Sequence, residues 1–169
     1  MSRPDFNEDH TPLGYLITFR AYGTWLHGDE RGSVDRYHHR HGAPALPPSP
    51  RRKQIAKSLL KQPPVKLNHR HRIAIDQSIR ETCEARKWDL WALNTRTNHL
   101  HCVITANCKP ERVLNAVKAN ATRSMRESGC WRSELSPWAR RGSKKYLWTE
   151  EELVNAIAYV EDDQGDPLD

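Results

Sequence analysis

The chain has 169 residues, 37% of them hydrophobic, so it can bury one real core and needs no second fold. Its 27 basic and 21 acidic residues leave a formal charge of +6, and Arg51, Arg52, Lys53, Lys57, Lys61, Lys66, Arg70 and Arg72 share a stretch without any acid, a local field suited to a polyanion. No run of about 18 apolar residues exists, which excludes a membrane-spanning helix, and the first residues lack the apolar stretch of a secretory signal, so a cytoplasmic protein is expected.

The aromatic and β-branched segment from Tyr15 to Tyr22 predicts a first strand, followed by a glycine-punctuated loop through Trp25 to Ser33. From Tyr37 to Pro50 the chain is rich in His, Gly and Pro, with Pro44, Pro47, Pro48 and Pro50 opposing regular helix. That stretch and the basic residues after it read as an excursion at about 37–64 from a single domain covering 1–169. Within it, Ile55, Leu59 and Leu60 have roughly helical spacing and predict a short basic helix ending before Pro63. A long helix is predicted from about Leu67 to Trp88 on the recurrence of Ile75, Ile79 and Cys83.

A hairpin follows, with strands beginning at Leu90 and at His99 around the turn Thr95 to Asn98. Pro110 suits a first helical turn, and Val113, Leu114, Val117, Ala121 and Met125 form the stripe of a helix closed by Gly129. Arg140 to Trp148 reads as a basic hairpin or loop. Thr149 and Glu152 make a capping box for a last helix from Glu150 to about Asp162. The four cysteines have no CxxC spacing, so reduced thiols are expected rather than a zinc site.

The chemistry concentrates in the run Asn98-His99-Leu100-His101. Residues i and i+2 of a strand share a face, so His99 and His101 can grip one divalent cation while Leu100, Cys102 and Ile104 turn into a core. Two imidazoles rarely hold a metal alone, and the last helix offers Asp162 and Asp163 as further ligands. Tyr159 lies four residues before Asp163, on the same helix face. The plainer readings are two partly buried strand histidines, a packing tyrosine, a solvated Lys118 and a basic run that only solubilises a loop.

These features resemble a single-tyrosine HUH transposase, in particular the REP-associated tyrosine transposases and their relatives of small insertion sequences. The resemblance rests on Thr18-Phe19-Arg20 with Gly23, on Thr97-Asn98-His99-Leu100-His101, on the amphipathic helix with Lys118, and on the run from Trp148 to Ala158-Tyr159-Val160. It implies an α+β, ferredoxin-like antiparallel sheet with helices packed on it. It implies Mg²⁺ or Mn²⁺ held by His99, His101 and Asp163, the last standing where close relatives have Asn followed by Pro.

It further implies that Tyr159 attacks a phosphodiester of single-stranded DNA presented by a hairpin, leaving a 5′-phosphotyrosine and a free 3′-hydroxyl. A free phenol has a pKa near 10, so its small ionised fraction at neutral pH leaves a deficit of about 4 kcal/mol for the site to offset. Phosphate contacts are expected from Arg20, Arg51, Arg52, Lys53, Lys118, Arg140, Arg141, Lys144 and Lys145, and a homodimer is expected, since relatives form dimers and sometimes exchange the tyrosine helix. Two other classes fit the same residues: a non-catalytic DNA-binding protein that retains the fold, and a metal-dependent hydrolase using water.

Overall fold

The alternation of apolar residues in the strands has two outlets, because both faces of the sheet are covered by helices. A computed structural model describes residues 11–24 and 47–162. In chain order the elements are β1 (Gly14–Ala21), α1 (Pro50–Ser58), α2 (His69–Arg86), β2 (Asp89–Thr95), β3 (His99–Thr105), α3 (Pro110–Glu127), β4 (Trp138–Leu147) and α4 (Glu150–Asp162). The strands form one antiparallel sheet in the order β2-β3-β1-β4, the ferredoxin-like arrangement expected from the sequence.

Register sorts the side chains. Ile17 opposes Cys102 and Phe19 opposes Leu100, and these residues enter the core shared with Ile75, Ile79, Val113 and Val117 of α2 and α3. Thr18 opposes His101 and Leu16 opposes Val103, which places them on the other face, where Ala92, Val103 and Leu147 meet Ala156 and Val160 of α4. Leu100, Cys102 and Ile104 are therefore buried opposite the histidines, as the alternation predicts.

Local signals set the helix ends. Asn68 accepts from the His71 backbone N–H, while the His71 ring accepts from the Asn68 N–H, so α2 starts after Leu67, which is buried as extended chain. Thr149 and Glu152 form the predicted capping box on α4, and the same Glu152 carboxylate also accepts from the Trp148 N–H. Gly142 allows α3 to approach the sheet closely, since a Cβ there would meet the Thr18 carbonyl oxygen at 2.9 Å and the Leu114 methyls at 3.0 Å.

One expectation needs correction. Residues Arg140 to Trp148 are neither a hairpin nor a loop: most belong to β4, an edge strand paired along β1 with an irregularity between Phe19 and Ala21. The short basic helix expected before Pro63 is α1, which buries no residue and leaves Ile55 and Leu59 51% and 74% exposed. Of the expected excursion, residues 47–64 are described. They return to the domain through the Val65 N–H on the Tyr22 carbonyl and the Lys61 N–H on the Tyr22 hydroxyl. The loop from Trp25 to Ser33 lies outside the described residues. All four cysteines are unpaired thiols, and burial pushes Cys83 up to about 11 and raises Cys102 as well.

Candidate active site

β3 enters the sheet with His99 and leaves it at Thr105, so both imidazoles sit at its first turn of pleat, on the α4 face. Their rings are edge to face at 4.8 Å between centroids. His101 is 6% exposed. Its Nδ1 lies 2.6 Å from the Thr18 hydroxyl, and the His99 Nδ1 donates to the Asn98 side-chain oxygen at 2.6 Å. A ring whose Nδ1 is held by an oxygen is oriented to present Nε2 to a ligand, the arrangement that accompanies histidine metal ligands.

α4 brings the phenol. Its buried Ala156 and Val160 seat it on Ala92, Val103 and Leu147, and Tyr159 lies beside them, with its ring 5.4 Å from that of His101 and 71° to it. Tyr159 is 41% exposed, so a large substrate can reach it. The Asn94 amide donates to the Val160 carbonyl at 3.0 Å, tying the end of α4 to β2. His99, His101 and Tyr159 thus meet within one chain.

The donor chemistry suits a divalent cation in part. Two imidazoles with held Nδ1 atoms could supply two positions of a ligand set. Among the described residues no group of three or more His, Cys, Asp or Glu gathers into a closed site, and Asp163 lies outside the described residues. Asp162 is exposed at the last position of α4.

The cations expected to touch DNA divide between regions. Arg20 opposes His99 and Lys145 opposes Leu16, which puts both on the histidine face. Arg51, Arg52 and Lys53 occupy the first turns of α1, and the Arg52 guanidinium donates to the Pro47 carbonyl. Arg140 and Arg141 stand in the irregular part of β4. Lys144 and Lys118 lie on the opposite face. Lys144 is 3.7 Å from Glu111, and Lys118 donates to the Ala139 and Arg141 carbonyls, 2.9 and 3.2 Å away. Burial first, and Lys144 second, lower the Lys118 pKa to about 8.

Thr18, Asn94 and Asn98 complete the arrangement. Thr18 and Asn98 lie inside motifs visible in the sequence, but their roles come from register: Thr18 and Asn94 are the two cross-strand neighbours of His101. Nothing local to Asn94 marks it.

No curated protein matches the chain. Among solved structures, it is similar to a REP-associated tyrosine transposase bound to a REP hairpin, at 10% identity and a TM-score of 0.51, over 95% of this chain and 69% of that one. A putative transposase from Deinococcus radiodurans R1 aligns over 98% of this chain and 100% of its own, at 12% identity and a TM-score of 0.47. A family model described as "Transposase IS200 like" matches residues 56–160, a span from α1 to the residue after Tyr159. Because that match covers well over half of the sequence, the chain belongs to the IS200-like transposase family.

Proposed function

We propose that this chain is a metal-dependent endonuclease and strand transferase for single-stranded DNA, acting at hairpin or palindromic elements, with Tyr159 as nucleophile. The observation that carries this reading is the 5.4 Å approach of the Tyr159 ring to His101, beside a second imidazole. His99, His101 and Asp163 would hold Mg²⁺ or Mn²⁺, which when bound supplies positive charge to the scissile phosphate as negative charge builds.

The protein's own groups do the rest. Thr18 and Asn98 hold the two rings in orientation. The Tyr159 oxygen attacks phosphorus, the bond from phosphorus to the 3′-oxygen breaks, and that oxygen takes up a proton. The phenolic proton passes to solvent, which reaches the exposed ring. The products are a 5′-phosphotyrosine and a free 3′-hydroxyl, and the covalent link preserves the phosphodiester for rejoining without an external energy source.

Arg20 and Lys145 hold phosphates on the histidine face, and α1, part of an insertion at about 37–64 in a single domain, brings Arg51, Arg52 and Lys53 to the same strand or its hairpin. The similar solved transposase is bound to a hairpin, which supports a hairpin substrate here. The protein acts as a homodimer in the cytoplasm, although the three described site residues meet without a second copy. No helix of the described residues is long and apolar enough to cross a membrane.

The test is incubation with 5′- and 3′-labelled hairpin oligonucleotides in Mn²⁺, followed by denaturing electrophoresis. The unmodified chain forms a denaturation-resistant adduct that carries the 3′ label and releases the 5′-labelled fragment, and Tyr159→Phe lowers the adduct yield by about 10⁴-fold or more with DNA binding retained. Unchanged cleavage by Tyr159→Phe would make water the nucleophile. Binding without cleavage by the unmodified chain would make it a non-catalytic DNA-binding protein.

A further inference from the structure

The geometry points to Asn94 as a positioning residue that couples the two halves of the site, the imidazoles on β3 and the phenol on α4. The inference rests on Tyr159 as nucleophile and concerns how that side chain is kept in place.

The negative end of a helix dipole favours cations, but the last described turn of α4 carries Glu161 and Asp162 and no basic residue. Below it lies a small apolar layer in which Ala156 and Val160 are the buried residues of α4. The capping box of Thr149 and Glu152 secures the opposite end, about two and a half turns from Tyr159.

Asn94 acts at the C-terminal end. Its amide donates to the Val160 carbonyl, immediately after Tyr159. Its strand position is directly opposite His101, itself 5.4 Å from the Tyr159 ring. A single side chain therefore links the backbone beside the nucleophile to the strand neighbour of the imidazole. Loss of this link leaves the core of the other face untouched and lets the phenol drift. A drift of 1 Å at a reacting group is enough to cost about a hundredfold in rate.

The experiment uses the full chain and a labelled hairpin oligonucleotide with Mn²⁺. It measures the single-turnover rate of adduct formation at saturating DNA, the DNA dissociation constant and the thermal midpoint. Asn94→Ala is expected to lower the rate about a hundredfold while the dissociation constant stays within about twofold. The isosteric Asn94→Asp keeps the shape but faces the carbonyl with an acceptor, so it loses at least as much. Glu161→Lys in the Asn94→Ala background stabilises the same turn by another route and restores about tenfold of the rate.

The inference is overturned by an unchanged rate in both single variants, by rate, affinity and thermal midpoint falling together, or by no recovery with Glu161→Lys. A wild-type chain that forms no adduct removes the nucleophile reading alone. The tether is then read from amide hydrogen exchange in residues 155–162, which is faster in Asn94→Ala if the link holds and unchanged if it does not.

Discussion

The two faces of the sheet are built to different standards. Against α2 and α3 lies a continuous apolar layer containing Phe19, Ile17, Leu100, Ile104, Val113 and Val117, each shielded from water. Against α4 the buried layer is Ala92, Val103, Leu147, Ala156 and Val160, and on the same face the side chains change to Thr18, Asn94, His99 and His101. The thick face makes the strands rigid. The thin face gives its remaining area to polar groups, so the main core and the candidate site are separated by one layer of backbone.

The sharpest test of this division is a pair of truncations. Phe19→Ala removes a fully buried ring that packs edge to face on Trp138 at 4.8 Å, and is expected to cost about 3–5 kcal/mol in urea unfolding. Val160→Ala on the other face removes two methyl-sized groups and should cost only about 2 kcal/mol, yet reduce adduct formation more at a temperature where both variants are folded. If Phe19→Ala were the more damaging to adduct rate per folded molecule, the separation would be wrong.

A smaller effect probes the polar side directly. Thr18→Val keeps the volume and removes the hydroxyl that holds the His101 Nδ1. The Mn²⁺ concentration giving half-maximal adduct formation should rise about 10- to 100-fold, with little change in melting temperature. An unchanged metal requirement would mean that packing alone orients the ring.

The smallest effect belongs to the thick face. Lys118 bridges the Ala139 and Arg141 carbonyls in the irregular stretch of β4 and sits 5.6 Å from the Phe19 ring centroid. Its pKa, lowered from 10.5 to about 8, means that the unfolded chain binds more protons between those values, so stability rises with pH across that window. The side chain is only partly buried, which keeps the slope shallow. Urea unfolding at about pH 7 and about pH 9.5 should show the rise in the wild type and its loss in Lys118→Met. Parallel pH dependence in the two proteins would assign the slope to other groups.

Much of the frame is legible in the residues alone. The alternation through His99, Leu100, His101, Cys102 and Val103 predicts which side of β3 is polar, and the stripe from Val113 to Met125 predicts the buried face of α3. β4 escapes such a reading. Its run of Arg140, Arg141, Lys144 and Lys145 has little apolar alternation, because an edge strand keeps much of its surface wet and owes its extended form to the ladder with β1.

Features written over a few neighbouring residues are therefore readable from residue order alone: the faces of β3 and α3, the hairpin, and the Thr149–Glu152 cap that starts α4. Side-chain period and capping act over one or two turns, and local order is enough to read them. Packing in three dimensions sets the rest: Thr18 and Asn94 flank His101, the Tyr159 ring centroid lies 5.4 Å from that of His101, and Lys118 faces away from both. Those relations follow from strand order and register rather than from local pattern, and both are settled by burying the two faces at once.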